Sequence, residues 1–327
     1  MRLDIRYRMQ FRYDSPVREA HNELRVRPKD TPGQRLLAHR LSCDPPGRIL
    51  SFTDYWGTTV EHLGVLGEHD RLEIVAEAAV ETRDRDDPAI VPIHPDDGDH
   101  PLDNIELLSE SPHVRWDDEL RTVALDATAG LDDTEAKVAA AVAATRRLLR
   151  YEKNSTHIGI GLDELVAGGT GVCQDYAHLT IGLLRLSGVP ARYVSGYLFA
   201  ADETVGANGG GIEAGVDQET DDDVEVQTHA WVEAWLPGDR WLAVDPTNDR
   251  PVGHNHVIIG TGRDYDDVAP VRGIYSGPGR PTVEATVEIR HMEPVERTMT
   301  PRPRRSERPA RYLTSTFESQ QSQQQQQ

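Results

Sequence analysis

Gly168-Gly169-Thr170-Gly171-Val172-Cys173-Gln174-Asp175-Tyr176-Ala177-His178-Leu179 is the stretch on which the reading of this chain turns. Its glycines form a tight, flexible turn that lets backbone approach a bound molecule closely. After Cys173, the residues Tyr176, Ala177, Thr180, Leu183, Leu184 and Ser187 recur at helical spacing, and Gly188 and Pro190 supply a stop. The spacing predicts a helix that begins at the cysteine. Free backbone N–H groups and the positive end of the helix dipole stabilise a thiolate there, the nucleophilic form of the residue. The chain has 2 cysteines, too few for a disulfide framework or a zinc cluster. Cys43 closes an apolar run from Leu36 to Leu41, the setting of a buried, inert thiol.

A thiol nucleophile needs a base, which has to come from elsewhere in the chain. Ala191–Ala200, Thr228–Leu236 and Trp241–Asp245 read as strands, the last two joined by the hairpin turn Pro237-Gly238-Asp239-Arg240. His229 shares a strand face with Trp231, Glu233 and Trp235, and Asp245 ends the next strand. Antiparallel neighbours lie about 5 Å apart, within reach of a His–Asp hydrogen bond, although the turn leaves the register open by a few residues. A triad of Cys173 as nucleophile, His229 as base and Asp245 as orienting acid is expected. Each has an ordinary reading alone: a packed thiol, a packed histidine, an aspartate capping a turn before Pro246. Their joint arrangement favours catalysis.

Outward from this centre, Leu3, Ile5, Tyr7, Met9, Phe11 and Tyr13 alternate with charged or amide residues as in a half-buried strand, and Asp14-Ser15-Pro16 reads as a turn. Further strand-like runs at Glu23–Arg27, Leu36–Ser42, Thr58–Leu66 and Arg71–Thr82 make residues 1–82 an antiparallel β-sandwich-like region. Residues 83–131 read as an acidic linker and connecting segment, Asp- and Pro-rich up to His100. Asp132 and Glu135 resemble a capping pair for a helix over Glu135–Tyr151. Asp202–Val226 reads as a long mobile loop and Thr282–Arg290 as a further strand. The expected catalytic core spans 132–300, and the glutamine-rich tail, 301–327, is expected to be disordered.

Three segments carry a family resemblance. Gly171-Val172-Cys173-Gln174-Asp175-Tyr176-Ala177-His178-Leu179 resembles the cysteine motif of the transglutaminase-like superfamily. Thr228-His229-Ala230-Trp231-Val232-Glu233 resembles its histidine motif, and Trp241-Leu242-Ala243-Val244-Asp245-Pro246-Thr247 its aspartate motif, in the same order. The N-terminal stretch Tyr13 to Pro28 and the segment from Gly262 to Pro270, with Gly273 and Tyr275, are similar to the flanks of bacterial and archaeal members. The resemblance implies an α+β fold with a papain-like core, in which the cysteine-bearing helix packs on an antiparallel sheet that carries His and Asp. It also implies attack on a carboxamide or peptide carbonyl, a thioester intermediate, and release by water or by an amine. The backbone N–H of Cys173 is the expected oxyanion donor. Asp175 and His178 also match the cysteine motif and are expected to fix the helix through hydrogen bonds, ahead of a substrate-binding role.

Partners and cofactors follow from composition and from what the motifs lack. A formal net charge of −20 disfavours nucleic acid as a ligand. Cations are almost all arginine, with lysine only at positions 29, 137 and 153, a pattern resembling proteins of a high-salt cytoplasm. No apolar leader or membrane-length run is legible, so a cytoplasmic protein acting on protein or peptide amides, with no membrane partner, is expected. No cofactor and no metal are expected. Asp221-Asp222-Asp223 with Glu225 lacks the ordered spacing of a calcium loop and reads as a solvated acidic segment. Two other functions stay open: a binding or scaffolding module of the same fold, and a CoA-dependent N-acyltransferase using the same triad.

Overall fold

The structure is a computed structural model that describes residues 1–83, 103–153, 155–199, 223–226, 228–238 and 240–292. The expected linker up to His100 (beyond Arg83), the acidic loop up to Asp222 and the glutamine-rich tail lie outside the described residues. Residues 1–293 form one compact unit.

Two long strands dominate the N-terminal half: β1 (Arg2–Leu24) and β4 (Thr59–Thr82), with β2 (Gln34–Asp44) and β3 (Arg48–Thr53) between them in sequence. The alternation legible from Leu3 onward places Leu3, Ile5, Tyr7 and Met9 in the core. Asp14-Ser15-Pro16, expected as a turn, does not end the strand. Arg12 faces Arg71 and Val17 faces His69, so five steps on β1 match two on β4. The extra residues are absorbed as a bulge, the place where a sheet tolerates a proline. The single strand β4 likewise replaces the two strands expected over 58–82.

Helices α1 (Asp118–Ala127) and α2 (Thr134–Leu148) follow. Each is capped by the aspartate before it: Asp117 accepts from the Leu120 N–H at 2.8 Å, and Asp133 from the Ala136 N–H at 2.8 Å. The cap of α2 is therefore Asp133 and not Asp132. The short strands β5 (Arg150–Tyr151) and β6 (Thr170–Gly171) pair in parallel around α3 (Leu162–Gly168), and α4 (Cys173–Leu186) comes next. Gly169 sits at φ 66°, a left-handed C-cap that returns the chain toward Cys173.

The second sheet contains β7 (Ala191–Leu198), β9 (Thr228–Leu236), β10 (Arg240–Asp245), β11 (Arg250–Pro251) and β12 (His256–Gly262), in the order β11-β10-β9-β7-β12. All its neighbours are antiparallel. The strand β8 (Asp223–Val226), at the end of the expected loop, pairs with β14 (Pro281–His291). After α5 (Tyr265–Val268), β13 (Val271–Ser276) and β14 both pair with β1. The chain thus returns to complete its first sheet, whose central order is β2-β4-β1-β14-β8.

Helix α4 lies at the centre of the second core. Leu179, Ile181, Leu183 and Leu184 are fully buried in a core shared with α1, α2, α3, β7 and β9. Its C-terminal end is clamped by buried Arg185, which donates to the carbonyls of Ala191, Ser109 and Arg263 and to Ser111 Oγ at 2.6–3.2 Å. A guanidinium buried with its donors matched in this way avoids the cost of an unpaired charge. The two halves also meet through backbone mimicry. The buried Gln34 amide accepts from the Ile258 N–H at 2.7 Å and donates to the Ile258 carbonyl at 2.8 Å, as a neighbouring strand would along β12.

Candidate active site

Cys173 is the first residue of α4, with Val172 as N-cap. The Asp175 and Tyr176 N–H groups bond the Val172 carbonyl at 2.9 and 3.1 Å, so those of Cys173 and Gln174 point out of the helix end. Asp175 braces this turn: its Oδ2 accepts from the Val172 N–H at 2.8 Å and from Thr156 Oγ1 at 2.5 Å. Burial pushes the Asp175 carboxyl up, an effect these two bonds oppose. One turn on, His178 Nε2 accepts the Tyr265 N–H at 3.1 Å, and its ring stacks on His113 at 5.3 Å and 4°. Burial holds His178 well below its ordinary value, so it is neutral and ties α4 to α5.

His229 and Asp245 approach Cys173 from the second sheet. The β9–β10 pairing runs from Arg240 opposite Leu236 to Val244 opposite Val232. Continued by one residue, that register sets Asp245 opposite Trp231, with His229 two residues away on the same face. The diagonal is closed by a hydrogen bond of 2.8 Å between His229 Nε2 and Asp245 Oδ2, both groups buried. The Cys173 side chain stands near enough to the imidazole to act on its charge. With Nε2 engaged by Asp245, Nδ1 is the nitrogen left to face the sulfur. The sequence-predicted Cys173, His229 and Asp245 are thus brought together, and Asp175 and His178 stand behind them on α4.

The electrostatics turn on one buried carboxylate. Burial alone would depress His229, but the charge and hydrogen bond of Asp245, with a contribution from Cys173, outweigh it and raise the group from 6.5 to about 10. Burial would raise Asp245, yet His229 and the hydrogen bonds from His229, His256 and Asn248 hold it well below the usual carboxylate range. Those bonds are numerous. Oδ1 accepts from the backbone N–H groups of Thr247 and Asn248 at 3.1 and 3.2 Å. Oδ2 accepts from Asn248 Nδ2 at 2.7 Å and meets His256 Nε2 at 3.2 Å, in addition to His229.

Neither Asn248 nor His256 was singled out from sequence. Asn248 lies just past the aspartate motif, where an Asx-type turn onto Asp245 was a usable signal. His256 opens β12, which is separated from β9 and β10 by β7 and from Asp245 by 11 positions, and no short-range pattern announces that contact. Gly196, paired with His229 across β7 and β9, makes room for the wall behind them. A Cβ there would lie 2.3 Å from the Trp231 ring and 2.2 Å from the Val257 carbonyl. Fully buried Trp231 thereby packs on His256 in a T-shaped contact, with ring centroids 5.3 Å apart at 76°.

His229, Asp245 and His256 present ligand atoms within 4.8 Å of one another, a spacing that a metal ion also accepts. The proton positions favour hydrogen bonding. The Gly253 N–H points at His256 Nδ1 at 3.3 Å, so Nδ1 accepts and Nε2 carries the proton. A metal ligand would need the opposite tautomer, with two N–H groups facing each other.

Two family models match the chain: the bacterial transglutaminase-like N-terminal region over residues 3–81, and the transglutaminase-like superfamily over residues 121–246. An uncharacterized protein of Mycobacterium leprae is 34% identical over 290 residues, covering 85% of this chain and 94% of its own length. A protein-glutamine gamma-glutamyltransferase of Pseudomonas aeruginosa is 38% identical over 78 residues, 24% of this chain and 10% of that protein. Among solved structures, a candidate cysteine protease from Cytophaga hutchinsonii superposes with a TM-score of 0.68 at 25% identity, over 90% of this chain and 91% of that one.

Proposed function

The chain belongs to the transglutaminase-like superfamily, and on that footing we propose that it is a thiol enzyme that cleaves carboxamide or peptide bonds through a thioester on Cys173. The observation that carries this reading is the buried 2.8 Å pair of His229 and Asp245, set where Cys173 at the start of α4 acts on the imidazole. The reaction needs Cys173 as thiolate, the form that the positive end of α4 and a protonated His229 favour.

The thiolate attacks the substrate carbonyl, and the oxyanion is met by the outward N–H of Cys173. His229 then protonates the departing amine or ammonia as the C–N bond breaks, and the acyl group is left on sulfur. Water completes the cycle by attacking the thioester with His229 as base, releasing acid and thiol. An amine in the same position would give a new amide. The candidate protease from C. hutchinsonii supports the hydrolytic outcome and the glutamyltransferase of P. aeruginosa the transfer. Hydrolysis is proposed here because the structural likeness spans nearly the whole chain, whereas the glutamyltransferase match covers 24% of it.

A glutamine-containing peptide incubated with the full chain in high salt, with and without a primary amine, tests both. The expected result is amide cleavage or deamidation seen by mass, lost in Cys173→Ala. Incorporation of the amine in place of ammonia would make the protein a transglutaminase. Acetylation of Cys173 by acetyl-CoA would move it to the N-acyltransferases.

A further inference from the structure

The carboxylate that orients His229 is shared by a second imidazole. His256 Nε2 lies 3.2 Å from Asp245 Oδ2, the same oxygen that His229 Nε2 reaches at 2.8 Å, and the two rings stand 6.1 Å apart. Building on the catalytic reading above, we propose that His256 is a positioning residue of this site, a neutral imidazole whose Nε2–H donates permanently to Asp245 and keeps that carboxylate ionised and fixed while His229 gains and loses its proton.

Three features of the surroundings support the role. First, the direction of the hydrogen bond is set by the backbone: the Gly253 N–H occupies Nδ1, so the ring proton stays on Nε2. Second, the groups facing the ring disfavour a second charge on it. Burial lowers His256, and His229 on β9 and Arg250 on β11 add to that effect, against the opposing pull of Asp245 on β10. Trp231 packs on the ring in a T-shaped contact.

Third, the catalytic cycle creates the need. When His229 passes its proton to the leaving amine, buried Asp245 loses the cation that balanced it. A buried carboxylate with unmet lone pairs takes up a proton more readily. A donor that does not titrate with the cycle prevents this. Asn248 Nδ2 and the Thr247 and Asn248 backbone hold the carboxylate from its own turn, and His256 is the one contributor from β12. The arrangement therefore also ties the β12 edge to the chemistry on β9 and β10.

The test is the pH dependence of Cys173 alkylation by iodoacetamide, resolved by peptide mass in the full-length wild type, His256→Leu and His256→Gln. Leucine fills the space without a donor, whereas the glutamine amide places a donor and an acceptor much as the two ring nitrogens do. In His256→Leu the neutral-pH rate is expected to fall about tenfold, and the acid limb of the profile to move up by roughly half to one pH unit. The sign follows from Asp245, which takes a proton at higher pH with one donor fewer. In His256→Gln the limb stays in place and the rate lies within about threefold of wild type. A purely structural His256 would lower the rate in both variants with the limb unmoved, and that outcome overturns the proposal. So does a wild-type rate in His256→Leu.

Should His256→Leu fail to fold, histidine 15N NMR of the wild type decides. A neutral Nε2–H tautomer across the active pH range is expected, and an Nδ1–H tautomer overturns the proposal. A Cys173 inert in the wild type would instead sink the catalytic reading itself.

Discussion

A His229→Ala variant is expected to turn over the glutamine peptide about 10³- to 10⁴-fold more slowly than wild type in kcat/KM, with the fold retained. The size of the effect comes from two losses at once. Without the imidazole, no group takes up the thiol proton beside the sulfur, and no acid meets the leaving amine when the C–N bond breaks. The substitution also leaves Asp245 buried without its balancing cation, so circular dichroism and a melting curve belong with the kinetics. A fall of less than tenfold in a folded variant would show that His229 is not the base.

Asp245→Asn is the second large effect, and it follows from counting donors. Five hydrogen bonds converge on the carboxylate: two N–H groups at Oδ1, and Asn248 Nδ2, His229 and His256 at Oδ2. A carboxamide offers one accepting oxygen. Whichever way it turns, its NH₂ group faces N–H donors that a carboxylate would have accepted. If the NH₂ faces His229, the imidazole must accept at Nε2 and carry its proton on Nδ1, the tautomer that cannot act as base toward the thiol. The charge is lost as well, so burial, opposed now by Cys173 without Asp245, pulls His229 down toward its neutral form. Activity is expected to drop by about 10³-fold or more.

Stability should respond to pH with a definite sign. His229 is raised from 6.5 to about 10 in the folded chain, so its contribution is fully present below 6.5 and is lost as pH rises through about 10. Asp245 is depressed below its ordinary 3.8, so its contribution is present above that value and is lost as pH falls. The margin of wild type over Asp245→Asn in denaturant midpoint should therefore be greatest from about pH 4 to 6.5 and shrink toward pH 10. A margin that widens above pH 6.5 would contradict the pairing.

What the sequence revealed of this site, and what it hid, follows from contact range. The helix starting at Cys173 is written in local spacing, since Tyr176, Leu183 and Leu184 follow a 3.6-residue period and Gly188 ends it. The β9–β10 hairpin is also local, and once its register is set, parity along the strands puts His229 and Asp245 on one face. The turn residues Asp14-Ser15-Pro16 misled because the same chemistry serves a bulge, and only the register with β4 tells the two apart. The return of β13 and β14 to β1 pairs residues more than 240 positions apart, such as Leu24 with Val271 and Leu3 with His291, and no periodicity encodes such a partner. This pairing carries the first sheet across the boundary expected at residue 82. Likewise α1, in a segment read as connecting chain, buries Leu120 and Ala124 in the core around α4. Through strand pairing of this kind β12 is set beside β7, and with it His256 comes within reach of Asp245.

The two cysteines give the most direct measurement, because one chain contains both the candidate nucleophile and its control. Burial pushes the Cys43 thiol up, an effect its hydrogen bond from the Gly47 N–H only partly offsets, and among the described residues no imidazole is bonded to it. Cys173 stands at the start of α4 and acts on the charge of His229. Site-resolved alkylation of the full-length wild type with iodoacetamide at neutral pH compares them under identical conditions. If Cys173 is the nucleophile, it labels at least about tenfold faster than Cys43, and the preference disappears in His229→Ala. Equal rates, or a faster Cys43, would contradict an activated thiolate at Cys173.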